Sequence, residues 1–217
     1  MNKISIDLEK AVFKFSNNGV AIEVSESTSL HVVVIASAPN LFRQYYKDPF
    51  VENKVQHPIC WSSNSRNPDP EVEKPQHRSC ILCDKNIKGS GEGLTRACKY
   101  RQRICVVKID DLQSPLWQVN LAGPSIFSVD REEQGYKAYC KYIQSSGQSV
   151  SGVVTDMYIT DAGCIAFKPI RHCNRDEWLQ VRELSKSDKA RECITKSSFG
   201  VKDFTAMQKV MGMAANV

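Results

Sequence analysis

From Ser37 to about Arg103 the chain shows no clear hydrophobic period; it is broken by Pro39, Pro49, Pro58, Pro68, Pro70 and Pro75 and is rich in Asn, Ser and Gly. Compact domains rarely tolerate so long a segment without elements of its own, so something other than a hydrophobic core must order it. The same segment holds His57, Cys60, His77, Cys80, Cys83 and Cys98. Cys80-x2-Cys83 is half of a metal site, because two thiolates on one tight turn reach a single ion. Zinc takes four tetrahedral ligands, and Cys60 upstream with Cys98 downstream complete a four-cysteine set. His57 and His77 compete with Cys60 for its place, whereas Cys105 lies in the apolar run ICVV and reads as core. A shell of four thiolates leaves no position for water, so the expected Zn2+ is structural. Its binding free energy, of order 10 kcal/mol in small sites, would substitute for the missing core.

Disulfides are the weaker reading of these thiols. The start, MNKISIDLEK, has no apolar stretch of the kind a secretory signal carries, which points to a reducing cytoplasm. There thiols stay reduced, and nine cysteines cannot all pair within one chain. Cys105, Cys140, Cys164 and Cys193 fit the common use of cysteine as a small buried hydrophobe. Cys80 and Cys83, in polar surroundings, do not.

Around the segment the sequence reads as mainly β. KISIDL, AVFKF, AIEV and LHVVVIA are rich in β-branched and aromatic residues, with Asn17-Asn18-Gly19 as a turn. Strands are expected at 104–109, 116–121, 153–159 and 164–168, the last two joined by Thr160-Asp161-Ala162-Gly163. Between them Tyr136, Tyr139, Cys140 and Ile143 recur at helical spacing, predicting a helix over 131–146 capped by Ser128 or Asp130 and ended by Gly147. Asn174 and Glu177 form a capping box that opens a helix to about Leu184, with further helices from Ser187 and near Asp203. This order, β-β-β-α-β-β with a long insertion after the first strand, matches an OB-fold-like barrel, although other small α+β folds share it. The expected organisation is a single OB-like domain over 1–217, with a zinc-ribbon insertion at 38–103 and a helical C-terminal segment at 174–217.

The net charge of +5 is mild, but between Arg78 and Lys108 eight cations face only Asp84 and Glu92. Cations beside aromatic rings suit single-stranded nucleic acid: the charges follow the phosphates and the rings stack on bases. The candidate contacts are Tyr45, Tyr46, Trp61, Lys88, Arg96, Lys99, Tyr100, Arg101 and Arg103. GSGEG is not a phosphate loop, because Gly93 is followed by Leu94-Thr95-Arg96 and not by Lys-Ser/Thr. Its glycines are expected to turn the backbone tightly beside the metal knuckle. No catalytic constellation is evident, and the chain does not read as an enzyme.

Pro58-Ile59-Cys60-Trp61-Ser62, Pro68-Asp69, Cys80-x2-Cys83, Asn86, Gly89-Ser90-Gly91, Ala97-Cys98-Lys99 and the later VVTDMYI…IAFKP together resemble a family of tailed-phage and prophage single-stranded-DNA-binding replication accessories. The resemblance spans roughly residues 30–185. It implies an OB-type domain with a zinc-ribbon insertion and assigns the metal to Cys60, Cys80, Cys83 and Cys98. In two places the chain departs from the pattern: the family's proline after the second knuckle cysteine is Asp84, and the end, MQKVMGMAANV, is not the acidic tail common among single-strand binders. The expected function is sequence-tolerant binding of single-stranded DNA in phage replication, recombination or repair. The alternatives are a zinc-ribbon adaptor for a polymerase or other host protein and, less favoured, a nuclease. Expected partners are single-stranded DNA or RNA and replication or transcription proteins, with no membrane; a homo-oligomer is left open.

Overall fold

The computed structural model describes residues 1–7, 9–25, 27–48 and 56–195. The helix expected near Asp203 lies outside them. In chain order the elements are β1 (Asn2–Asp7), β2 (Val12–Asn17), β3 (Val20–Val24), β4 (Ser29–Ser37), β5 (Phe42–Tyr45), β6 (Cys60–Ser62), β7 (Cys98–Lys108), β8 (Trp117–Ala122), α1 (Gly123–Phe127), α2 (Tyr136–Ser145), β9 (Val153–Ile159), β10 (Ile165–His172), α3 (Arg175–Lys186) and α4 (Asp188–Thr195). The described residues form two compact units, Met1–Ala38 with the chain from Gln102 to Thr195, and Pro39–Arg101.

The first unit is a curled, mainly antiparallel sheet in the order β10-β9-β4-β7-β8-β1-β2-β3. Its central strands are covered on both sides, which is why VVVI and ICVV are continuously apolar rather than alternating. On one face Val33, Ile35, Cys105, Val107 and Val154 pack beneath Val181, Ala190 and Cys193 of α3 and α4. On the other, α2 places Tyr139 so that its hydroxyl meets Thr155 Oγ1 at 2.6 Å and its ring stacks on Phe167 with centroids 5.8 Å apart. At the N-terminal end of the sheet, Phe15 meets Trp117 edge-on at 4.9 Å. The β2–β3 turn is made by Asn18 and Gly19, both at positive φ, as an Asn-Gly hairpin requires.

Two expectations change. The barrel does not close by pairing β8 with β10 among the described residues; β8 instead takes β1 as a parallel neighbour, Lys3 opposite Gln118 and Ile4 opposite Val119. The occupied edge leaves an open half-barrel. Further along, α2 begins at Tyr136, with Gly135 and not Ser128 or Asp130 as its N-cap. Asp130 spends its carboxylate on a turn of its own, accepting from the amides of Glu132 at 2.8 Å and Glu133 at 3.1 Å. The Asn174–Glu177 capping box of α3 is present in both directions.

Candidate metal centre and basic face

The second unit is built on a small sheet in which β5 lies between β6 and the first residues of β7. Tyr45 stands opposite Cys60 on one side and Cys98 on the other, and Arg43 opposite Ser62 and Tyr100. Side chains two apart on a strand share a face, so Cys60, Cys98, Tyr45, Arg43 and Tyr100 lie on one face. Gln44, opposite Trp61 and Lys99, and Phe42, opposite Arg101, lie on the other.

The first face holds the thiols. Cys60, Cys80, Cys83 and Cys98 are all buried and free of disulfides, and they line one pocket together with Tyr45 and His77. Cys80 and Cys83 arrive on a knuckle closed by the Asn86 amide, which donates to the Cys83 carbonyl at 2.8 Å, and by Asn86 Nδ2, which donates to the Cys80 carbonyl at 2.9 Å. Downstream, Gly89 and Gly93 take positive φ. Gly91 lies so close to the following backbone that a Cβ there would sit 2.9 Å from Arg96 C and 3.0 Å from Ala97 N. That close approach delivers Cys98 to the pocket.

Electrostatics agree that the thiols share a site. Burial pushes the Cys98 thiol up to about 11, opposed by the charge of Arg43 and a hydrogen bond from it, with Cys80 and Cys60 near enough to raise it further. Burial also raises Cys60, with Cys80 and Cys83 again among the causes. Among the described residues no three His, Cys, Asp or Glu side chains are gathered closely enough to hold an ion as they stand. The donor chemistry nevertheless suits zinc, which takes four thiolates in structural sites. Arg43 supplies an independent test of fit. It is 2% exposed, its Nε is buried without a hydrogen-bond partner, and no carboxylate among the described residues pairs with it. A buried cation calls for a buried anion, which four metal-bound thiolates would provide.

The remaining candidate ligands separate cleanly. His77 lines the pocket, but its Nδ1 accepts from the Ser79 amide at 3.0 Å, leaving only Nε2 for another partner. His57 is exposed. Cys105 belongs to the core of the first unit, where a hydrogen bond with Cys193, and then burial, raise its thiol well above the ordinary range.

The nucleic-acid candidates divide between the two faces. Tyr45 and Tyr100 are on the thiol face: Tyr45 lines the pocket, and the Arg43 guanidinium sits 3.9 Å above the Tyr100 ring. On the opposite face Trp61 is half-buried and Lys99 exposed, with Lys99 Nζ donating to Thr95 Oγ1 at 2.8 Å. Arg101 is half-buried; burial lowers its pKa, while nearby Tyr46 opposes the shift. Phe42 and Gln44 between them are buried. Lys88 and Arg96 are exposed in the glycine-rich loop, where Arg96 Nε donates to the Asn86 carbonyl at 2.7 Å. Arg103 must be withdrawn from the set, because it is 6% exposed and its Nε is buried. Sequence reasoning passed over Arg43, since FRQYY gives no sign that its arginine is the buried member.

Comparison of the chain with protein-family models, with curated proteins and with solved structures finds no match. No helix among the described residues is long and apolar enough to cross a membrane.

Proposed function

We propose that this chain binds single-stranded nucleic acid with little regard to sequence, through a basic, aromatic surface on a zinc-stabilised unit, and that it serves phage DNA replication, recombination or repair. The carrying observation is the register that sets Trp61, Gln44 and Lys99 side by side. It joins a ring and a cation on the face opposite the thiols, the pairing used to stack bases and follow phosphates. Cys60, Cys80, Cys83 and Cys98 would hold the zinc, whose role is to fix the knuckle and the start of β7 so that Lys88, Arg96 and Lys99 form a lasting surface. The succession β4, β7, β8, α2, β9, β10 supports an OB-type ancestry for the first unit, opened where β1 has taken the edge of β8.

A second reading, a zinc-ribbon adaptor for another protein, is favoured by one observation. Ile81, Leu82 and Leu94 are 68%, 70% and 76% exposed in the same unit, and exposed aliphatics that join into a patch mark protein contacts. Titration with oligo-dT separates the two. Binding should quench tryptophan fluorescence, and Trp61→Phe should abolish most of that quench. An unchanged quench in Trp61→Phe, or no binding at all beside capture of a defined replication protein, would transfer the assignment to the adaptor.

A further inference from the structure

We infer that Arg175, Trp178 and Arg182 of α3 form a second single-strand contact, carried by the first unit and weaker than the one proposed above. The inference rests on the single-strand reading and adds to it a site that needs no metal. Positions three and four apart on a helix are neighbours, so the run Arg175-x2-Trp178-x3-Arg182 makes one strip along α3. The Asn174–Glu177 capping box fixes where the helix starts, and buried Val181, with Leu184 packed against the same core, seats it on the sheet. The strip is left facing water: all three residues are exposed, Trp178 to 43%. The Arg182 guanidinium lies 5.3 Å from the centroid of the Trp178 ring, within cation–π reach.

Charge decides which partner the strip suits. Around it the ions are matched within the chain: Arg171 with Glu177 at 2.7 Å, Lys186 with Glu183 at 2.8 Å and Arg191 with Asp188 at 3.2 Å. Arg175 and Arg182 have no carboxylate within ion-pair distance among the described residues, and their sequence neighbours Asp176 and Glu183 lie about 100° away round the helix. Arg175 is also the first residue of α3, where the helix dipole favours acids and disfavours cations, so helix stability does not account for its charge. Two unmatched cations with a half-exposed indole between them suit a polyanion that carries flat rings, which is what a single strand offers. The strip sets two cations against the four of the second unit's surface, which makes it the weaker contact.

The test uses the full chain carrying Trp61→Phe, in which Trp178 is the tryptophan left near solvent, because Trp117 is 6% exposed. Once the main quench is gone, a smaller one should remain at higher oligo-dT concentration, with a log-log salt slope of about −1.4 from two phosphates at roughly 0.7 each. Adding Arg175→Gln should flatten that slope to about −0.7, and Arg175→Gln with Arg182→Gln should bring it to about zero. Adding Trp178→Phe instead should remove the residual quench while labelled oligo-dT still binds by anisotropy. A wild type that binds no oligo-dT overturns the single-strand reading and this contact with it. A wild type that binds, with no residual quench in Trp61→Phe or with one indifferent to Arg175 and Arg182, overturns this contact alone.

Discussion

Salt dependence offers the sharpest quantitative check on the proposed surface, because burial dictates which cations count. Lys88, Arg96 and Lys99 are exposed and Arg101 half-buried, whereas Arg103 is enclosed. Four phosphate contacts on a single strand predict a log-log slope of affinity against salt of about −2.8, at roughly 0.7 per phosphate. Between 50 and 200 mM salt the affinity should then fall about fifty-fold. Lys99→Ala should flatten the slope to about −2.1, while Arg103→Met should leave it unchanged whatever it does to stability. Fluorescence anisotropy of labelled oligo-dT over a salt series measures all three. A wild-type slope near zero would remove the phosphate contacts altogether. A slope that responds to Arg103 and ignores Lys99 would show that the burial argument had selected the wrong cations.

Other perturbations test the scaffold. Tyr139→Phe removes a hydroxyl from a fully buried side chain and leaves Thr155 Oγ1 only the Val153 carbonyl at 3.3 Å; the expected loss is about 1 kcal/mol, seen in calorimetry as a Tm lower by about 2–4 °C. Gly91→Ala would push a methyl to 2.8 Å from Thr95 Oγ1 and 2.9 Å from the Arg96 backbone, so zinc retention and protease resistance of residues 56–101 should both fall. Gly123→Ala, with nothing within 4 Å, is the control and should stay within about 0.5 kcal/mol of wild type in urea. Hydrogen bonding from Arg171, the largest cause, holds the Glu177 carboxyl below its ordinary pKa. Its stabilisation is therefore complete above the unfolded glutamate pKa and lost as pH falls through the folded value. Glu177→Gln should cost about 0.5 kcal/mol at pH 7, a small figure because Arg171 is half in water, and nothing at a pH below both values; an equal penalty at both ends would refute the assignment.

Sequence alone was informative wherever a feature depends on a few neighbouring residues. The Asn18-Gly19 turn, the Asn174–Glu177 capping box and the tight glycine turns beside the knuckle all lie where local chemistry placed them. Cys60, Cys80, Cys83 and Cys98, the expected four-cysteine set, line one pocket with His77 beside them, but no three His, Cys, Asp or Glu side chains among the described residues are gathered closely enough to hold an ion. Asp130 marks the limit of such reasoning: as a helix cap it was as good as Gly135 on paper, but its own side chain closed a different turn.

What the tertiary structure decided is which way each side chain faces and which strand takes which edge. In KYRQR, Lys99 reaches solvent while Arg103 is enclosed, although both are basic residues of one strand. Arg43 became a buried member of the thiol face because β5 is registered between β6 and β7, and the barrel stayed open because β1, far away in the chain, claimed the edge of β8. Strand periodicity alternates side chains between two faces without saying what covers either one. That is settled by pairings between residues distant in sequence, whose energies no local pattern records.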